Sequence, residues 1–181
     1  MSNIPKDAIQ CLDKGFVRLV DSMGGDEAIV QAARVSYGKG TTKLSQDRGL
    51  IRYLMRHRHT TPFEMVEFKF HCKMPIFVAR QWVRHRTANI NEYSLRYSEA
   101  RDEFYYPDPE HIQFQSALNK QGRMGDVSDE LKQKVREYFR EISDRSFEIY
   151  SELNDAGVAR ELARAILPVN LYTEWYWKND L

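Results

Sequence analysis

Eight consecutive residues alternate strictly between apolar and polar side chains, and they constrain the fold more than any other part of the chain. Because neighbouring side chains of a β-strand point to opposite faces, this alternation predicts a strand with one buried and one solvated face. Cys72 falls on the apolar face, so we expect a packed thiol there. The apolar side chains are Val66, Phe68, Phe70 and Cys72, and the polar ones are Glu67, Lys69, His71 and Lys73.

Shorter sequence patterns predict further secondary-structure elements before this strand. Residues 16–20 form an apolar run that predicts another strand. Asp26 begins a predicted helix that ends near Ser36. Residues 38–42 are predicted to form a loop, and Ser45 to cap a second helix.

Two proline-containing patterns predict the elements before and after the alternating strand. Residues 61–64 fit a capping box with a proline at the first helical position, which predicts a short helical turn. Pro75 begins a predicted helix that ends near Arg86. Residues 87–92 then form a predicted polar loop rich in asparagine.

The second half of the chain is predicted to be mainly helical. Residues 103–106 predict a strand, and residues 113–125 predict a mobile loop. Ser128 caps a predicted helix that runs to about residue 155, where Gly157 ends it. A shorter helix is predicted over residues 159–167, with Leu162, Ala163 and Ile166 as its apolar face.

An apolar stripe follows one side of the long helix. The stripe most simply packs into the core, but it fits a subunit interface equally well. Its members are Leu131, Val135, Tyr138, Phe139, Ile142, Ile149, Tyr150 and Leu153.

Length, composition and net charge limit the kinds of protein that this chain can be. A chain of 181 residues predicts a single domain over residues 1–181. Its 42% hydrophobic and 29% charged residues argue against disorder, and its net charge of +1 argues against a general nucleic-acid partner. With neither a membrane-spanning run nor a secretory leader, and with only Cys11 and Cys72 as cysteines, we expect no membrane partner and a cytoplasmic protein.

The densest group of functional side chains runs from Arg84 to Arg96. The planar fork of arginine matches phosphate and carboxylate geometry, so three arginines with interleaved amides suggest an anion site that also recognises a polar heterocycle. Gln81, Arg84 and His85 are spaced to share one face of the predicted helix. From residue types alone, a solvated basic face at a helix end is an equal alternative.

The spacing of this stretch adds a family resemblance. RHR, seven residues, S, one residue and R resembles the signature of the flavin-dependent thymidylate synthases, and Arg84 to Arg96 matches it at each defined position. The resemblance runs from about Gly15 to the last residue. It implies an α/β (α+β) fold, a mainly antiparallel sheet with packed helices. Four further blocks resemble the family in the same order: 33–36 (ARVS), 59–64 (HTTPFE), 77–82 (FVARQW) and 167–172 (LPVNLY).

The resemblance implies that the substrate is deoxyuridine monophosphate (dUMP), which is reductively methylated to dTMP. A phosphate takes forked and hydroxyl donors, and a uracil edge takes an amide and an arginine, so the implied residues suit this ligand. Arg84, Ser94 and Arg96 form the implied catalytic subset. The residues implied to hold dUMP are Gln81, Arg84, Glu92, Ser94, Leu95 (through its backbone), Arg96 and Arg164.

The resemblance also implies FAD, with NADPH as reductant and methylenetetrahydrofolate as carbon donor. It further implies a homotetramer whose active sites lie between subunits. By charge, His85 and Arg86 suit a pyrophosphate, and the turn at 61–64 offers backbone N–H groups or is a plain helix cap. The residues implied around FAD are Ser36, His59, Thr61, Glu64, Arg84, His85, Arg86, Thr87 and Glu92.

No side chain stands out as a nucleophile. Cys72 is on a predicted buried face, and Ser94 has no evident base beside it. This agrees with the resemblance, which implies hydride transfer from reduced flavin to the nucleotide without an enzyme nucleophile. His57 and His59 invite a metal interpretation, but two histidines without a fuller ligand set predict no metal site.

Two alternatives remain open, and the end of the chain raises a further expectation. The same scaffold suits methylation or hydroxymethylation of another pyrimidine nucleotide, or a non-catalytic nucleotide- or RNA-binding module. Family members continue beyond this sequence with an LRxxxxAQxE-like helix. We therefore expect an incomplete chain from a truncation, a split gene or an interrupted coding region.

Overall fold

The computed structural model describes residues 4–35 and 44–181, with side chains from residue 47 onward in the second range. A five-stranded sheet lies at its centre, and a separate two-stranded hairpin lies outside it. The strands in chain order are β1 (Ile9–Cys11), β2 (Gly15–Met23), β3 (Glu67–Pro75), β4 (Ala88–Glu92), β5 (Phe114–Gln115), β6 (Arg123–Met124) and β7 (Tyr172–Asp180).

The central sheet has the order β1-β2-β3-β7-β4, and all its neighbouring strands are antiparallel. Helices pack around it, so the predicted α/β (α+β) fold with a mainly antiparallel sheet is confirmed. Within the described ranges, no helix is long and apolar enough to cross a membrane. The helices are α1 (Asp26–Val35), α2 (Leu44–Arg56), α3 (Ile76–Trp82), α4 (Asp129–Asp155) and α5 (Arg160–Ala163), with 3-10 turns at Phe63–Met65, Pro109–His111 and Arg164–Ile166.

The alternating segment forms β3 as predicted, but its polar face is less solvated than the pattern indicates. Lys73 is only 6% exposed, and its Nζ donates to Glu103 Oε2 at 2.7 Å. His71 Nε2 lies 3.1 Å from Glu174 Oε2. His71 and Lys73 are therefore paired with carboxylates from β7 and from the segment that follows residue 100, whereas Lys69 pairs with Asp21 of β2.

Strand β7, which the sequence pattern did not predict, fills the gap between β3 and β4. Trp175 lies opposite Cys72 on β3 and opposite Glu92 on β4. Trp175 and Trp177 are buried, and Trp82 of α3 packs against both, with ring centroids 5.6 and 5.4 Å away. The aromatic end of the chain is thus an interior strand covered by α3.

Helix α3 and the segment after it correct two predictions. The helix starts after Pro75 as predicted, but it ends at Trp82 instead of near Arg86. Residues 88–92 form strand β4, where a polar loop was predicted. The chain must leave the helix early because it has to turn back and pair with β7 along the sheet edge.

Helices α1 and α2 pack together beside the start of β3. Helix α1 follows the prediction to Val35, whereas the predicted loop at 38–42 lies outside the described residues. Helix α2 begins at Leu44, so Ser45 lies in its first turn and is not its cap. Arg34 Nη2 lies 2.8 Å from Asp47 Oδ1 and joins the two helices.

Both ends of α4 are confirmed as predicted. The hydroxyl of Ser128 accepts a hydrogen bond from the backbone N–H three residues later at 3.3 Å. At the other end Gly157 has φ +78°, the left-handed conformation that glycine adopts at low cost. Its N–H donates to Asn154 O, and Val158 N–H donates to Leu153 O, which completes a Schellman motif.

The apolar stripe of α4 divides into a buried and an exposed part. Tyr150 is buried, and Leu153 packs beside it, which confirms the core interpretation for this end. Leu131, Tyr138 and Ile142 are exposed in the single chain, so the subunit-interface interpretation stays open for them. The buried members of the cluster around Tyr150 are Ala100, Phe104, Tyr150, Ala163 and Leu171.

Three smaller elements differ from the predictions. The predicted strand at 103–106 is a single bridge between Phe104 and Leu171. The predicted mobile loop at 113–125 contains the hydrogen-bonded hairpin of β5 and β6. The predicted helix at 159–167 is α5 followed by a 3-10 turn, and of its expected apolar face only Ala163 is buried, whereas Leu162 and Ile166 are exposed.

Two glycines should differ in what a methyl group costs. A Cβ at Gly15 would lie 2.7 Å from both Cys11 O and Lys73 O, whereas a Cβ at Gly157 meets no atom within 4 Å. We expect Gly157→Ala to lower the free energy of unfolding by about 1 kcal/mol through its positive φ. Gly15→Ala should lower it by about 2–3 kcal/mol because two backbone segments must move.

Urea unfolding of the two variants and the parent protein measures this difference. A Gly15→Ala variant as stable as the Gly157→Ala variant would contradict the close approach of β1, β2 and β3 at this point.

Candidate functional site

The candidate site residues fall at two opposite ends of the central sheet. Strands β3 and β4 both pair with β7, and Asn179 on β7 lies opposite Phe68 on one side and Ala88 on the other. The starts of β3 and β4 therefore lie at the same end of the sheet. Helix α3 leaves the far end of β3 and runs back over the tryptophans, and residues 83–87 then bring the chain to the end where β3 and β4 start.

The first end carries Arg84, His85 and Arg86. The prediction that Gln81, Arg84 and His85 share a helical face is wrong, because the helix has already ended at Trp82. Tight turns follow, in which Arg84 N–H donates to Gln81 O at 3.3 Å and His85 N–H donates to Trp82 O at 3.0 Å. These three residues are exposed, as are Gln81 and Thr87. None of the ion pairs among the described residues uses Arg84, His85 or Arg86.

A groove of about 930 Å³ opens at the same end of the sheet, between α1, α2 and the 3-10 turn at Phe63–Met65. Its wall is apolar, with alanines of α1 and leucines of α2, and its rim includes His59 and Thr61. Tyr53 lies between two histidines, with ring centroids 4.3 Å from His57 and 6.2 Å from His59. The predicted flavin residue Ser36 lies outside the described residues.

The backbone at the end of α2 sets the position of His59. Arg58 N–H donates to Met55 O and His59 N–H donates to Leu54 O, which is a Schellman arrangement. Arg58 occupies the left-handed position with φ +57°, where glycine is more common. His59 is thereby aimed at the groove by the helix end itself.

The turn at 61–64 corrects the predicted capping box. Its helical part is a 3-10 turn that begins after Pro62, without a side-chain cap. Phe63 N–H donates to Thr60 O, and Glu64 N–H donates to Thr61 O. Because these N–H groups are used within the turn, they are not free for a phosphate. Thr61 and Glu64 are exposed and offer their side chains instead.

The second end of the sheet carries Glu92, the segment 94–96 and Arg164. Thr173 Oγ1 on β7 donates to Glu92 Oε1 at 2.7 Å and fixes this carboxylate at the end of β4. Leu95 packs against the cluster around Tyr150, whereas Arg96 is exposed and Ser94 is half-buried, with its hydroxyl accepting a hydrogen bond from Arg96 N–H at 3.4 Å. Arg96 Nη2 lies 3.5 Å from Glu161 Oε2 in an exposed pair.

One copy of the chain therefore holds the predicted nucleotide residues as two half-sites. Gln81 and Arg84 lie before β4, and Ser94 and Arg96 lie after it. The length of strand β4 alone separates the two half-sites by roughly 13 Å, at about 3.3 Å per residue. No residue of the second half-site lines the groove beside His59.

Several side chains at the second half-site carried no sequence signal. Glu174 accepts a hydrogen bond from Arg101 Nη1 at 2.9 Å and also lies beside His71. It thereby helps to hold together the two ends of the loop that carries Ser94. Tyr150 and Arg160 contact the same loop. The sequence predicted Tyr150 only as part of the apolar stripe of α4, and exposed arginines such as Arg160 are common on helices, so only the tertiary contacts reveal their role at this half-site.

The structure confirms that Cys72 is a packed thiol. Its side chain is fully buried between the sheet and α3, and burial raises the pKa of the Cys72 thiol to about 11. Burial, together with a hydrogen bond to Asp13, also raises the pKa of Tyr172. Neither group supplies an anionic nucleophile near neutral pH.

Comparison with known proteins decides the family. The family described as "Thymidylate synthase complementing protein" matches residues 18–181. The chain belongs to this family. Among its relatives, the flavin-dependent thymidylate synthase of Ehrlichia ruminantium (strain Gardel) is 61% identical over 170 residues, covering 94% of this chain and 57% of the relative. That of Rickettsia conorii (strain ATCC VR-613 / Malish 7) is 54% identical over 194 residues, covering 100% of this chain and 66% of the relative.

Solved structures agree with this family assignment. The UMP/dUMP methylase PolB from Streptomyces cacaoi bound with 5-Br dUMP superposes with a TM-score of 0.83 at 37% identity, covering 95% of this chain and 76% of that one. Its complex with 5-Br UMP gives 0.81 at 40% identity, covering 92% and 71%. The predicted resemblance to flavin-dependent thymidylate synthases is confirmed, and the chain spans about three fifths of the length of the curated relatives it matches.

The two cysteines should react very differently with a thiol reagent. Cys11 is exposed, whereas Cys72 is buried with a raised pKa and stays protonated. At about pH 8 we expect iodoacetamide to label Cys11 alone in the native protein and both residues in urea, because only the thiolate reacts. Mass spectrometry of tryptic peptides measures this. Rapid native labelling of Cys72 would contradict its placement between the sheet and α3.

Proposed function

We propose that the protein reductively methylates dUMP to dTMP, with FAD as the redox cofactor. Methylenetetrahydrofolate would supply the carbon and NADPH the reducing equivalents. The observation that carries the proposal is the motif from Arg84 to Arg96, whose two halves lie exposed at the two ends of β4. The curated relatives, named flavin-dependent thymidylate synthases, support the same reaction.

Two copies of the chain would build each site. Arg84 and Arg96 lie at opposite ends of β4 and point to solvent, so each copy offers two open half-sites. An isologous pairing brings the first half-site of one copy to the second half-site of its partner. The exposed part of the α4 stripe offers an apolar surface for such an assembly, and we propose a homotetramer.

The residues at the first half-site fit a flavin. The groove beside His59 combines an apolar wall with aromatic side chains, which suits a planar ring system. Arg84 and Arg86 are cations without carboxylate partners among the described residues, and with the His85 ring between them they suit a pyrophosphate. Bound FAD would supply hydride chemistry. Residues proposed to hold it are Ser36, His59, Thr61, Glu64, Arg84, His85, Arg86 and Thr87, together with Glu92, which lies at the second half-site and would come from the partner copy.

The chain's own residues would bind and orient the nucleotide. Ser94, Arg96 and Arg164 offer hydroxyl and guanidinium donors to the phosphate, with the backbone of Leu95 beside them. Gln81 and Arg84 offer donors and an acceptor to the edge of the uracil. A guanidinium near the ring also stabilises negative charge as it develops there. No enzyme nucleophile is required, which fits the protonated state of Cys72.

A second candidate substrate is the ribonucleotide UMP. The observation that favours it is the likeness to PolB, which is described as a UMP/dUMP methylase and is bound with 5-Br UMP in one structure. Calorimetric titration of the flavin-loaded protein with dUMP and with UMP distinguishes the two. A clear preference for dUMP supports the thymidylate reaction, and equal affinity supports the broader one.

Arg96→Ala should weaken dUMP binding by about 10- to 100-fold, because a charge-assisted contact to the phosphate is lost. The fold should be unaffected, since Arg96 is exposed and its only described ion pair is a long one with Glu161. Arg145→Ala is the matched control: it removes an exposed arginine from an ion pair with Glu148 on α4, away from both half-sites. Unchanged affinity in Arg96→Ala would refute the phosphate role.

Mixing two inactive variants tests whether sites are shared. Arg84→Ala and Arg96→Ala chains are combined by unfolding and refolding together. If each site takes Arg84 from one copy and Arg96 from another, about a quarter of the sites in a random mixture recover both arginines. Titration with dUMP counts these sites. No recovery in a mixture shown to contain both chains would place both arginines of a site in one copy.

A further inference from the structure

The loop at 94–100, which carries Ser94 and Arg96, is fixed by side chains that come from two distant helices. Ala100 N–H donates to the hydroxyl of Tyr150 on α4 at 2.8 Å, and this bond is buried. The other end of the loop follows β4, where Tyr93 N–H donates to Glu174 O at 2.8 Å. Both ends of the loop are therefore anchored, and its middle depends on other contacts.

Arg160, the first residue of α5, supplies the contacts to the middle of the loop. Its Nη1 donates to Tyr97 O at 3.1 Å, and its Nη2 donates to Glu99 Oε1 at 3.1 Å. The side chain is 44% exposed, so it bridges loop and helix at the surface. A guanidinium can satisfy both acceptors at once because its donors form a rigid fork, whereas an ammonium is a single point of charge.

The acceptors of Arg160 belong to the turn that begins at Ser94. Tyr97 N–H and Ser98 N–H both donate to Ser94 O, at 3.2 and 3.0 Å. Holding Tyr97 O and Glu99 thus holds the whole turn against α5. Arg164 follows Arg160 by four residues, one turn further along the same helical segment. Loop and helix form one unit that carries the second half-site.

We propose that Arg160 is a positioning residue for nucleotide binding, which ties the loop bearing Ser94 and Arg96 to the segment bearing Arg164. It touches neither phosphate nor base. Its role is to fix the relative placement of the donors before the nucleotide arrives, so that less ordering is required on binding. This inference rests on the proposed function for the identity of the ligand, and on the geometry alone for the anchoring.

Hydrogen exchange of the unliganded protein tests the anchoring by itself. In Arg160→Ala we expect the amides of Tyr97 and Ser98 to exchange about tenfold faster, because local opening of the turn becomes easier. Arg145→Ala is the control, since it removes an arginine from an exposed ion pair of the same length, 3.1 Å, on α4. Unchanged exchange at the two amides in Arg160→Ala overturns the proposal.

Nucleotide titration of the FAD-treated protein tests the consequence. Arg160→Ala should weaken dUMP binding by about tenfold while the retained flavin and the unfolding midpoint stay near those of the parent. Arg160→Lys should recover part of the loss, because one of the two acceptors is still reached. In a Ser94→Ala background, Arg160→Ala should cause a smaller loss of dUMP affinity, since the effects of substitutions at residues that act through one another are not additive.

The possible outcomes separate the two proposals. A parent protein that binds no dUMP defeats the proposed function, and faster exchange in Arg160→Ala would then support only the anchoring. A parent that binds dUMP, with Arg160→Ala binding it within twofold of the parent, overturns the positioning role. If Arg160→Ala lowers dUMP affinity equally in the parent and in the Ser94→Ala background, the positioning role is also overturned, because equal losses indicate a general effect on the fold.

Discussion

The pairing of β7 between β3 and β4 determines where the two ends of the motif from Arg84 to Arg96 lie. Its buried tryptophans receive Trp82, so α3 must lie across this part of the sheet. The end of α3 then delivers Arg84 beside the start of β4, and β4 carries the chain across the sheet to Ser94. Without β7 there is no edge for β4 to join, and the motif from Arg84 to Arg96 loses its fixed span.

The same pairing explains why the site is open in a single chain. A strand lies in the middle of the motif, so its two halves face different ends of the molecule instead of closing around one ligand. Each half-site has its own supporting structure: the end of α2 for His59, and the contacts of Tyr150 and Arg160 for the loop at 94–100. In the proposed assembly, a partner copy would supply the second set of donors to a ligand that needs both halves.

Much of the architecture follows from local sequence signals. The alternation of β3, the Ser128 cap and the Gly157 stop are decided within a few residues, and all three were predicted. Strand β7 was missed because aromatic side chains occupy both of its faces, with buried Trp175 and Trp177 on one face and exposed Tyr176 on the other, so its sequence shows no alternation. Strand β4 was missed because asparagine is uncommon in strands, and only the partner strand overrides that preference. The end of α3 was predicted too late for the same reason, since a tertiary requirement ends it.

The candidate site was likewise predicted only in part from the sequence. The motifs pointed to the exposed cations, to Ser94 and to His59, and the structure places them at the two half-sites. The separation of these half-sites was not predictable from spacing, because a signature records order along the chain and not direction in space. Supporting residues such as Thr173, Tyr150 and Arg160 have no local signature, since their partners are far away in sequence.

The claim that two copies complete each site is tested most directly by sedimentation of the FAD-loaded protein over a dilution series, followed by the visible absorption of the flavin. The account predicts that flavin sediments with an oligomer and is released as dilution produces the 21.4 kDa chain. Flavin that sediments stoichiometrically with the single 21.4 kDa chain would contradict it.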